Sequence, residues 1–219
     1  MWSTRPSGGD AMVKSGRSNI YFIPGEQALY ASLDTYLVDT TWVSKMSWEN
    51  NTAATQTYSL QYTTELKVTQ GNEVTNSVGI AAGFKGLSLS MDSQTKVFTT
   101  YETTQSQTKT ITLTVPPKST LSFYQKKYRF KNAMFFILDA WSKDWNVGSQ
   151  GGYNITRKEC EVEIMSEDYL TTDTELIDSS TGTMDVRRVA RAETEEDRPT
   201  QKREELTERA RKELSKMGV

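Results

Sequence analysis

The stretch GNEVTNSVGIAAGFKGLSLSMDSQTKVFTTY, residues 71–101, decides the fold that we predict for this chain. A two-residue turn is expected at Lys85-Gly86, because glycine readily adopts the positive φ that tight hairpins need. Such a turn places Phe84 opposite Leu87 and thereby fixes the partner of every other residue in the two arms of the hairpin. Because side chains alternate along a strand, the hairpin has one apolar face and one small, polar face. The apolar face carries Val74, Val78, Ile80, Ala82, Phe84, Leu87, Leu89, Met91 and Val97. The polar face carries Ser77, Ser88, Ser90, Asp92, Gln94 and Lys96.

This two-faced hairpin has two interpretations. In the first it crosses a membrane as part of a β-barrel: the apolar face contacts lipid, the polar face lines the lumen, and the tip, Lys85 and Gly86, reaches the far headgroups. A spanning strand needs about 9–11 tilted residues, and the arm 74–84 has 11. In the second it is an ordinary hairpin over a soluble core, which shows the same alternation. On the hairpin alone the second interpretation is favoured.

Composition limits the class of protein. The chain has 219 residues, 36% hydrophobic and 25% charged, which suits one elongated β domain or two small ones. Its net charge of −2 gives no electrostatic reason to expect nucleic acid as a partner. No apolar run approaches the roughly 20 residues of a membrane helix. The first residues, MWSTRPSGGDAMVKSG, contain no hydrophobic core segment, so no signal peptide is visible in this chain.

The chain also lacks most residues that catalysis and metal binding use. Histidine is absent and Cys160 is the single cysteine, which excludes an intrachain disulfide, a histidine general base and a His/Cys zinc site. Neither a phosphate-binding loop nor a dinucleotide fingerprint is present. Cys160 is expected in a core as a small hydrophobe. We therefore predict no enzyme, no metal and no cofactor; the remaining enzymatic alternative is a hydrolase that uses carboxylates, for which no residue pattern marks a site.

Alternating patterns predict strands over most of the chain. These cover residues 18–23, 26–39, 40–48, 57–69, 103–115, 121–128, 133–141 and 153–167. In 26–39 the spacing of Leu29, Leu33 and Leu37 also fits a helix, and a strand is preferred. The strands around the hairpin are rich in Ser and Thr, and a sheet that is polar on both faces specifies its register weakly. Such a sheet suits a segment that must detach and pair again.

The last third of the chain holds two further features. Trp141, Trp145 and Tyr153 are expected near one loop, where they contact a membrane or receptor or, as is favoured, close the edge of a core. Residues 197–217 are predicted to be a helix with a narrow apolar stripe, which packs lightly on the body, pairs with another helix or is disordered. Arg187, Arg188 and Arg191 precede it in a polar stretch that suits a trypsin-like protease. The alternative is that these arginines are solvated charges.

Three short segments in order carry a family resemblance. They are NNTAATQT at 50–57, SVGIAAGFKGLSLSM at 77–91 and TITLTVPPKST at 110–120. Together they resemble the aerolysin/epsilon-toxin group of β-pore-forming proteins over about residues 40–165. The resemblance implies a mainly β fold of elongated, twisted antiparallel sheets with an amphipathic insertion hairpin, to which this chain adds a charged C-terminal helix. It raises the membrane interpretation of the hairpin above the ordinary one.

The resemblance also implies a mode of action. A soluble monomer, secreted or released from its cell, assembles into a homo-oligomeric ring on a target lipid membrane and inserts one hairpin per copy. In several members a protease first removes a C-terminal segment, and a receptor is a further possible partner. The expected organisation is a flexible N-terminus at 1–18, a pore-forming domain at 19–178 with its insertion hairpin at 71–101, and a polar linker and helical tail at 179–219. The alternative function is a non-enzymatic module that binds carbohydrate, lipid or protein and docks a partner through its C-terminal helix.

Overall fold

The structure is a computed structural model that describes residues 2–71, 80–177 and 181–219. It is mainly β, as predicted, and its strands are unusually long. The longest, β3 and β8, pair with each other along almost their whole length. The strands are β1 Ser3–Pro6, β2 Ala11–Ile23, β3 Gln27–Asn50, β4 Gln56–Gln70, β5 Ser88–Met91, β6 Gln94–Val97, β7 Gln107–Val115, β8 Ser119–Ala140, β9 Lys143–Val147, β10 Arg157–Thr172, β11 Thr181–Met184 and β12 Thr200–Gln201. The helices are α1 Ile80–Phe84, α2 Thr100–Thr103 and α3 Glu208–Lys216.

One large sheet organises the described part of the chain. Its strand order is β11-β1-β3-β8-β10-β4-β7, with β2 beside β3 and β9 beside β8. Strands β8 and β4 are both antiparallel to β10, so they run in the same direction. Strand β8 runs toward the β8–β9 turn, which marks one end of the sheet. The far end of the sheet holds Asn50 opposite Ser119.

Strand β4 belongs to two layers. Residues Glu65–Gln70 pair with β10, whereas Gln56–Thr64 pair with β7 on the other edge. The β4–β7 pair packs over β3 and β8 around a small core of Leu60, Tyr62, Leu113 and Phe123. The second and larger core lies on the part of the sheet toward the β8–β9 turn. It includes Leu37, Phe130, Met134 and Phe136. The strands are long because alternating apolar residues have a core to face along both halves.

The C-terminal tail, residues 181–219, runs back over the body. Strand β11 pairs in parallel with β1, and β12 pairs in parallel with β9. Helix α3 begins after Thr207, whose hydroxyl accepts a hydrogen bond from the amide of Ala210 and caps the helix. Six apolar side chains of the tail are buried in the larger core: Met184, Leu206, Ala210, Leu214, Met217 and Val219.

The predicted strands are confirmed with some merged, except that 103–115 begins as a strand only at Gln107, since Thr103 lies in α2. Segments 26–39 and 40–48 form the single strand β3, and 121–128 and 133–141 form β8. The strand preferred for 26–39 is correct, because the leucines face the core of a sheet and not a helix seam.

Three expectations about the ends of the chain are wrong. The N-terminus expected to be flexible at 1–18 forms β1 and most of β2, which pair with β3. The helix expected at 197–217 is confined to Glu208–Lys216, after β12 and two short 3-10 turns. The tail packs on the body, one of the three alternatives, but the light packing expected of it as an appendage is wrong, because its apolar stripe is part of the core.

Candidate functional site

The residues between β4 and β7, 71–106, are here called the linking segment. They join two strands that are already paired, from Gln56 opposite Val115 to Thr64 opposite Gln107. If this ladder continued by one residue on each strand at every step, Phe84 would come opposite Leu87. The turn would then fall at Lys85-Gly86, and Gly86 already has a φ of +69°. The observed register of β4 and β7 therefore leads to the pairing that the sequence of 71–101 predicts.

The two faces of this ladder also continue into the linking segment. Leu60 and Tyr62 on β4 and Leu113 on β7 face the small core. Continued along the same ladder, that face carries Ile80, Phe84, Leu87 and Met91. The opposite face of β7 presents Thr110, Thr112 and Thr114 to solvent and continues into Ser88, Ser90 and Asp92. Strand β10 lies on the other edge of β4, so it does not occupy the edge along which this ladder would extend.

In this structure the described part of the linking segment, residues 80–106, has a different conformation. Ile80–Phe84 is the short helix α1, and β5 pairs with β6 across a turn at Asp92-Ser93. The predicted turn at Lys85-Gly86 is present, because the amide of Leu87 donates a hydrogen bond to the carbonyl of Phe84 (2.9 Å). The strand pairs predicted beyond this turn are wrong for this state, since Leu89 pairs with Lys96 and Met91 with Gln94. The physical reason is that the apolar side chains pack on the large sheet and not on each other: Phe84 meets Phe130 edge-on at 5.1 Å between ring centroids.

The predicted membrane-facing residues have mixed positions. Ile80, Phe84, Leu87, Leu89 and Met91 are buried against the sheet. Val97 is 61% exposed. Val74, Val78 and the predicted lumen residue Ser77 lie outside the described residues, as does the side chain of Ala82. Of the other predicted lumen residues, Ser88, Asp92 and Gln94 are exposed, while Ser90 and Lys96 are half-buried.

A lysine from β2 holds the end of α1. The ammonium of Lys14 donates hydrogen bonds to the carbonyls of Gly83 (2.7 Å) and Lys85 (3.1 Å). A cation at a helix C-terminus satisfies carbonyls that have no partner within the helix. Burial lowers the pKa of Lys14. This contact fastens the predicted hairpin tip to the body.

A buried ion cluster holds β6 and α2. Lys96 lies 2.8 Å from Glu102 Oε1 and 3.0 Å from Asp168 Oδ1. Glu102 is fully buried, and its carboxylate also accepts the amides of Thr99 and Glu167. Tyr128 donates its hydroxyl to Asp168, and burial raises the pKa of this phenol. The linking segment is thus joined to β8 and β10 through charges and not through apolar packing alone.

Glu167 adds a second polar link between the same elements. Its carboxylate accepts the hydroxyl of Thr99 and forms an ion pair with Lys109 on β7. Burial raises the pKa of Glu167, but the hydrogen bonds from Lys109 and Thr99 outweigh burial and lower it overall. The carboxylate therefore stabilises the fold in its charged form.

The strap, residues 185–191, covers β5. The amide of Asp92 donates to the carbonyl of Asp185 (2.7 Å), and the amide of Arg187 donates to the carbonyl of Ser90 (2.9 Å). These bonds flank an antiparallel bridge between Met91 and Val186. The strap is therefore a third strand beside the β5–β6 pair, and β5 is not free to re-pair while the strap is in place.

The three predicted cleavage residues differ in their environments. Arg187 is exposed. The guanidinium of Arg188 donates to the carbonyls of Ser7, Gly9 and Asp10. Arg191 is ion-paired with the buried Asp34 and with Glu195. Arg188 is also exposed despite these bonds, whereas Arg191 is half-buried, so the stretch is open at its first two arginines.

Clefts separate the linking segment from the sheet. One of 280 Å³ lies between β6 and β8 and is lined by Trp42, Lys126 and Tyr128 among others. A neighbouring cleft of 330 Å³ lies under the Asp92-Ser93 turn. Burial lowers the pKa of Lys126, which borders both clefts. Packing against the sheet is therefore incomplete beneath β5 and β6.

The three aromatic residues predicted near one loop are only partly brought together. Trp141 and Trp145 meet edge-on, with 6.5 Å between ring centroids. Tyr153 is 57% exposed and lies under the ammonium of Lys202, 5.0 Å from its ring centroid. Trp145 is half-buried, as a residue that closes a core edge should be, whereas Trp141 is 60% exposed.

Sequence reasoning missed Lys14, Asp185 and Glu167. Each acts across a long separation in the chain, such as the 69 residues between Lys14 and Gly83. No local pattern marks such a contact, so no signal in the sequence could have found them. Within the described residues no group of three or more acidic or cysteine side chains is placed to hold a metal ion. The helices of the same described ranges are too short and polar to span a bilayer.

Comparisons with known proteins give structural matches. No protein-family model and no curated protein sequence matches the chain. Among solved structures it is similar to the oligomeric pore-forming toxin pro-Monalysin, with 12% identity, TM-score 0.38, and 76% of this chain and 70% of that chain covered. It is also similar to lysenin in complex with phosphocholine, with 14% identity, TM-score 0.29 and coverage of 61% and 50%. A third match is the Bacillus thuringiensis toxin parasporin-2, which recognises cancer cells, with 14% identity, TM-score 0.18 and coverage of 74% and 77%.

At these identities and TM-scores the matches carry no argument about family or mechanism. The function below is therefore argued from the contacts of this chain.

Proposed function

We propose that this chain is a pore-forming protein that assembles into a ring on a target membrane and inserts one hairpin, residues 71–101, per copy. The observation that carries the proposal is the register of β4 and β7. Its continuation yields a hairpin with the turn at Lys85-Gly86, and the alternating faces continue across the join. An ordinary surface loop has no reason to share register and face pattern with the strands that it joins.

The structure found here is then the stored form. Among the described apolar residues of the hairpin, Ile80, Phe84, Leu87, Leu89 and Met91 are covered by the body, whereas Val97 is exposed. Exposing all of them together would create a patch that promotes association. A single hairpin does not enter a bilayer, since its edge amides and carbonyls would lack partners in hydrocarbon. Assembly therefore precedes insertion, and the hairpins of neighbouring copies pair into a closed barrel. Asp92 and Lys96 then line the lumen.

Proteolysis is the proposed trigger. The strap pairs with β5, and the rest of the tail packs on the core, so both oppose withdrawal of the linking segment. A cut after Arg187 breaks the covalent link between the part of the strap that contacts β5 and the tail beyond it. The tail then dissociates with a rate set by its buried residues.

The test uses two neighbouring residues that are both exposed in the stored form, Ser93 and Gln94. In the inserted hairpin Ser93 faces lipid near mid-bilayer, opposite Val78, whereas Gln94 faces the lumen. An arginine on the lipid face at mid-bilayer costs about 2–4 kcal/mol. Ser93→Arg is therefore expected to abolish dye release from vesicles, and Gln94→Arg to keep dye release and shift conductance toward anions.

This pair avoids a difficulty of buried positions. Ile80→Asp and Met91→Asp are also expected to stop leakage, but both residues are buried in the stored form, so a loss of folding would give the same result. Equal leakage from Ser93→Arg and Gln94→Arg, with rings visible for both, would overturn the hairpin assignment. No leakage from the unmodified chain, before or after trypsin, would favour the binding-module alternative.

A further inference from the structure

We infer that Trp141, at the tip of the β8–β9 turn, is a membrane-interface anchor, and that this end of the sheet is the surface that first meets the lipid. The inference deepens the proposed function and rests on it for the direction of insertion. It commits to a lipid surface as the partner. Three features of the structure carry it: the backbone of Trp141, its exposure and the direction of β4.

The backbone at this turn is unfavourable for its sequence. Trp141 and Ser142 have φ values of +55° and +58°, and Ala140 pairs with Lys143 across them. Two positive φ values in a two-residue hairpin loop define a turn type that strongly prefers Asn-Gly or Asp-Gly. A large aromatic residue rarely adopts this conformation. Strain at one exposed residue indicates that its side chain is kept for something other than folding.

The side chain of Trp141 has the exposure that this role requires. It is 60% exposed, and its ring leans edge-on against Trp145. The ammonium of Lys143 lies 4.9 Å from the Trp145 ring centroid. Phe22, which is 58% exposed, lies beside the turn of the neighbouring hairpin, at the same end of the sheet, since Gln27 pairs with Ala140. Aromatic and cationic side chains together are typical of the boundary between lipid and water.

The topology places this end on the side toward which the hairpin would extend. Strands β4 and β8 run in the same direction, and Gln70 at the end of β4 lies level with Lys131 through Glu161. A hairpin that continues β4 and β7 therefore projects toward the end of β8 that carries Trp141. A lipid surface that receives the hairpin is met by the same end of the molecule.

The experiment separates binding from permeabilisation. Trp141→Asn places a residue that tolerates positive φ at the turn, so the variant is expected to melt at the same or a higher temperature. Its binding to phosphatidylcholine vesicles in a flotation assay is expected to fall about tenfold, which corresponds to about 1.4 kcal/mol. Trp141→Tyr keeps an interfacial aromatic and is expected to restore most binding. Ile177→Ala is the control, because it also removes an exposed apolar side chain (77% exposed) but lies far from this turn. Its position is fixed by the preceding residue, Leu176, whose amide donates a hydrogen bond to the hydroxyl of Tyr124.

The outcomes of the two proposals are distinct. Ser93→Arg is expected to bind vesicles like the unmodified chain while failing to release dye. Normal flotation of Trp141→Asn, or a loss as large in Ile177→Ala, would overturn the anchor. An unmodified chain that binds only vesicles carrying added protein or glycan would overturn the lipid assignment. If Trp141→Asn alone loses binding while Ser93→Arg leaks normally, the anchor survives and the hairpin assignment fails.

Discussion

Asp92 and Asp185 are joined by two hydrogen bonds. The amide of Asp92 donates to the carbonyl of Asp185, and the amide of Asp185 donates to the carboxylate of Asp92 at 2.9 Å. Asp92 has a φ of +49° in the turn between β5 and β6, a conformation that Asp and Asn tolerate better than most residues. The strap therefore recognises the turn of the stored β5–β6 pair as well as its edge.

The bridge beside this contact allows a covalent lock. Met91 and Val186 face each other between the two flanking backbone bonds, and such pairs have Cα atoms about 4.5 Å apart, which suits a disulfide. In a Cys160→Ala background, the double variant Met91→Cys/Val186→Cys is expected to form rings without leakage when oxidised. Reduction is expected to restore dye release. Leakage that is equal in both redox states would show that β5 does not leave the strap.

The tail is expected to contribute to global stability. Leu214→Ala removes a fully buried side chain from α3 and is expected to cost about 2–4 kcal/mol of unfolding free energy in urea titrations. Lys212→Ala in the same helix is exposed, and a change below about 0.5 kcal/mol is expected. A small effect of Leu214→Ala would return the tail to the role of an appendage.

Trypsin is expected to cut first after Arg187. Arg187 and Arg188 are both exposed, but the guanidinium of Arg188 is bonded to carbonyls and that of Arg191 to carboxylates. Mass spectrometry of a short digest should show that Arg187→Gln delays the first cut more than Arg191→Gln does. The reverse order would mean that the strap opens from its Arg191 end.

The Glu167 carboxylate predicts a pH dependence. Its pKa is lowered in the folded protein, so its stabilising contribution is present above the ordinary glutamate pKa of about 4.3 and is lost as pH falls through the lowered value. Glu167→Gln is expected to cost about 0.5 kcal/mol near neutral pH. The difference from the unmodified chain should shrink toward zero in more acidic buffer. A difference that persists unchanged in acid would exclude this origin.

Local patterns predicted the strands well because alternation and β-branched residues report on one chain segment at a time. The register of a hairpin at 71–101 stays a prediction, defined by the glycine at position 86 and the flanking apolar residues, because the described part of this segment is paired differently here. The stored conformation could not be predicted from the sequence. Ile80–Phe84 is helical because Phe130 and Lys14, which are distant in the chain, lie beside it in space. The same limit explains the tail, whose narrow stripe is sufficient only because the sheet supplies the rest of the core.

The shared register of β4 and β7 also affects how fast the chain could convert. Closing a hairpin in a disordered chain costs entropy that grows with the number of residues enclosed. Here Thr64 and Gln107 already lie side by side, so each new pair shortens an existing loop. The existing β4–β7 pairs set the register of every further pair, so the two arms of the hairpin need no search for alignment. The rate of conversion then depends on how quickly residues 80–106 leave the sheet.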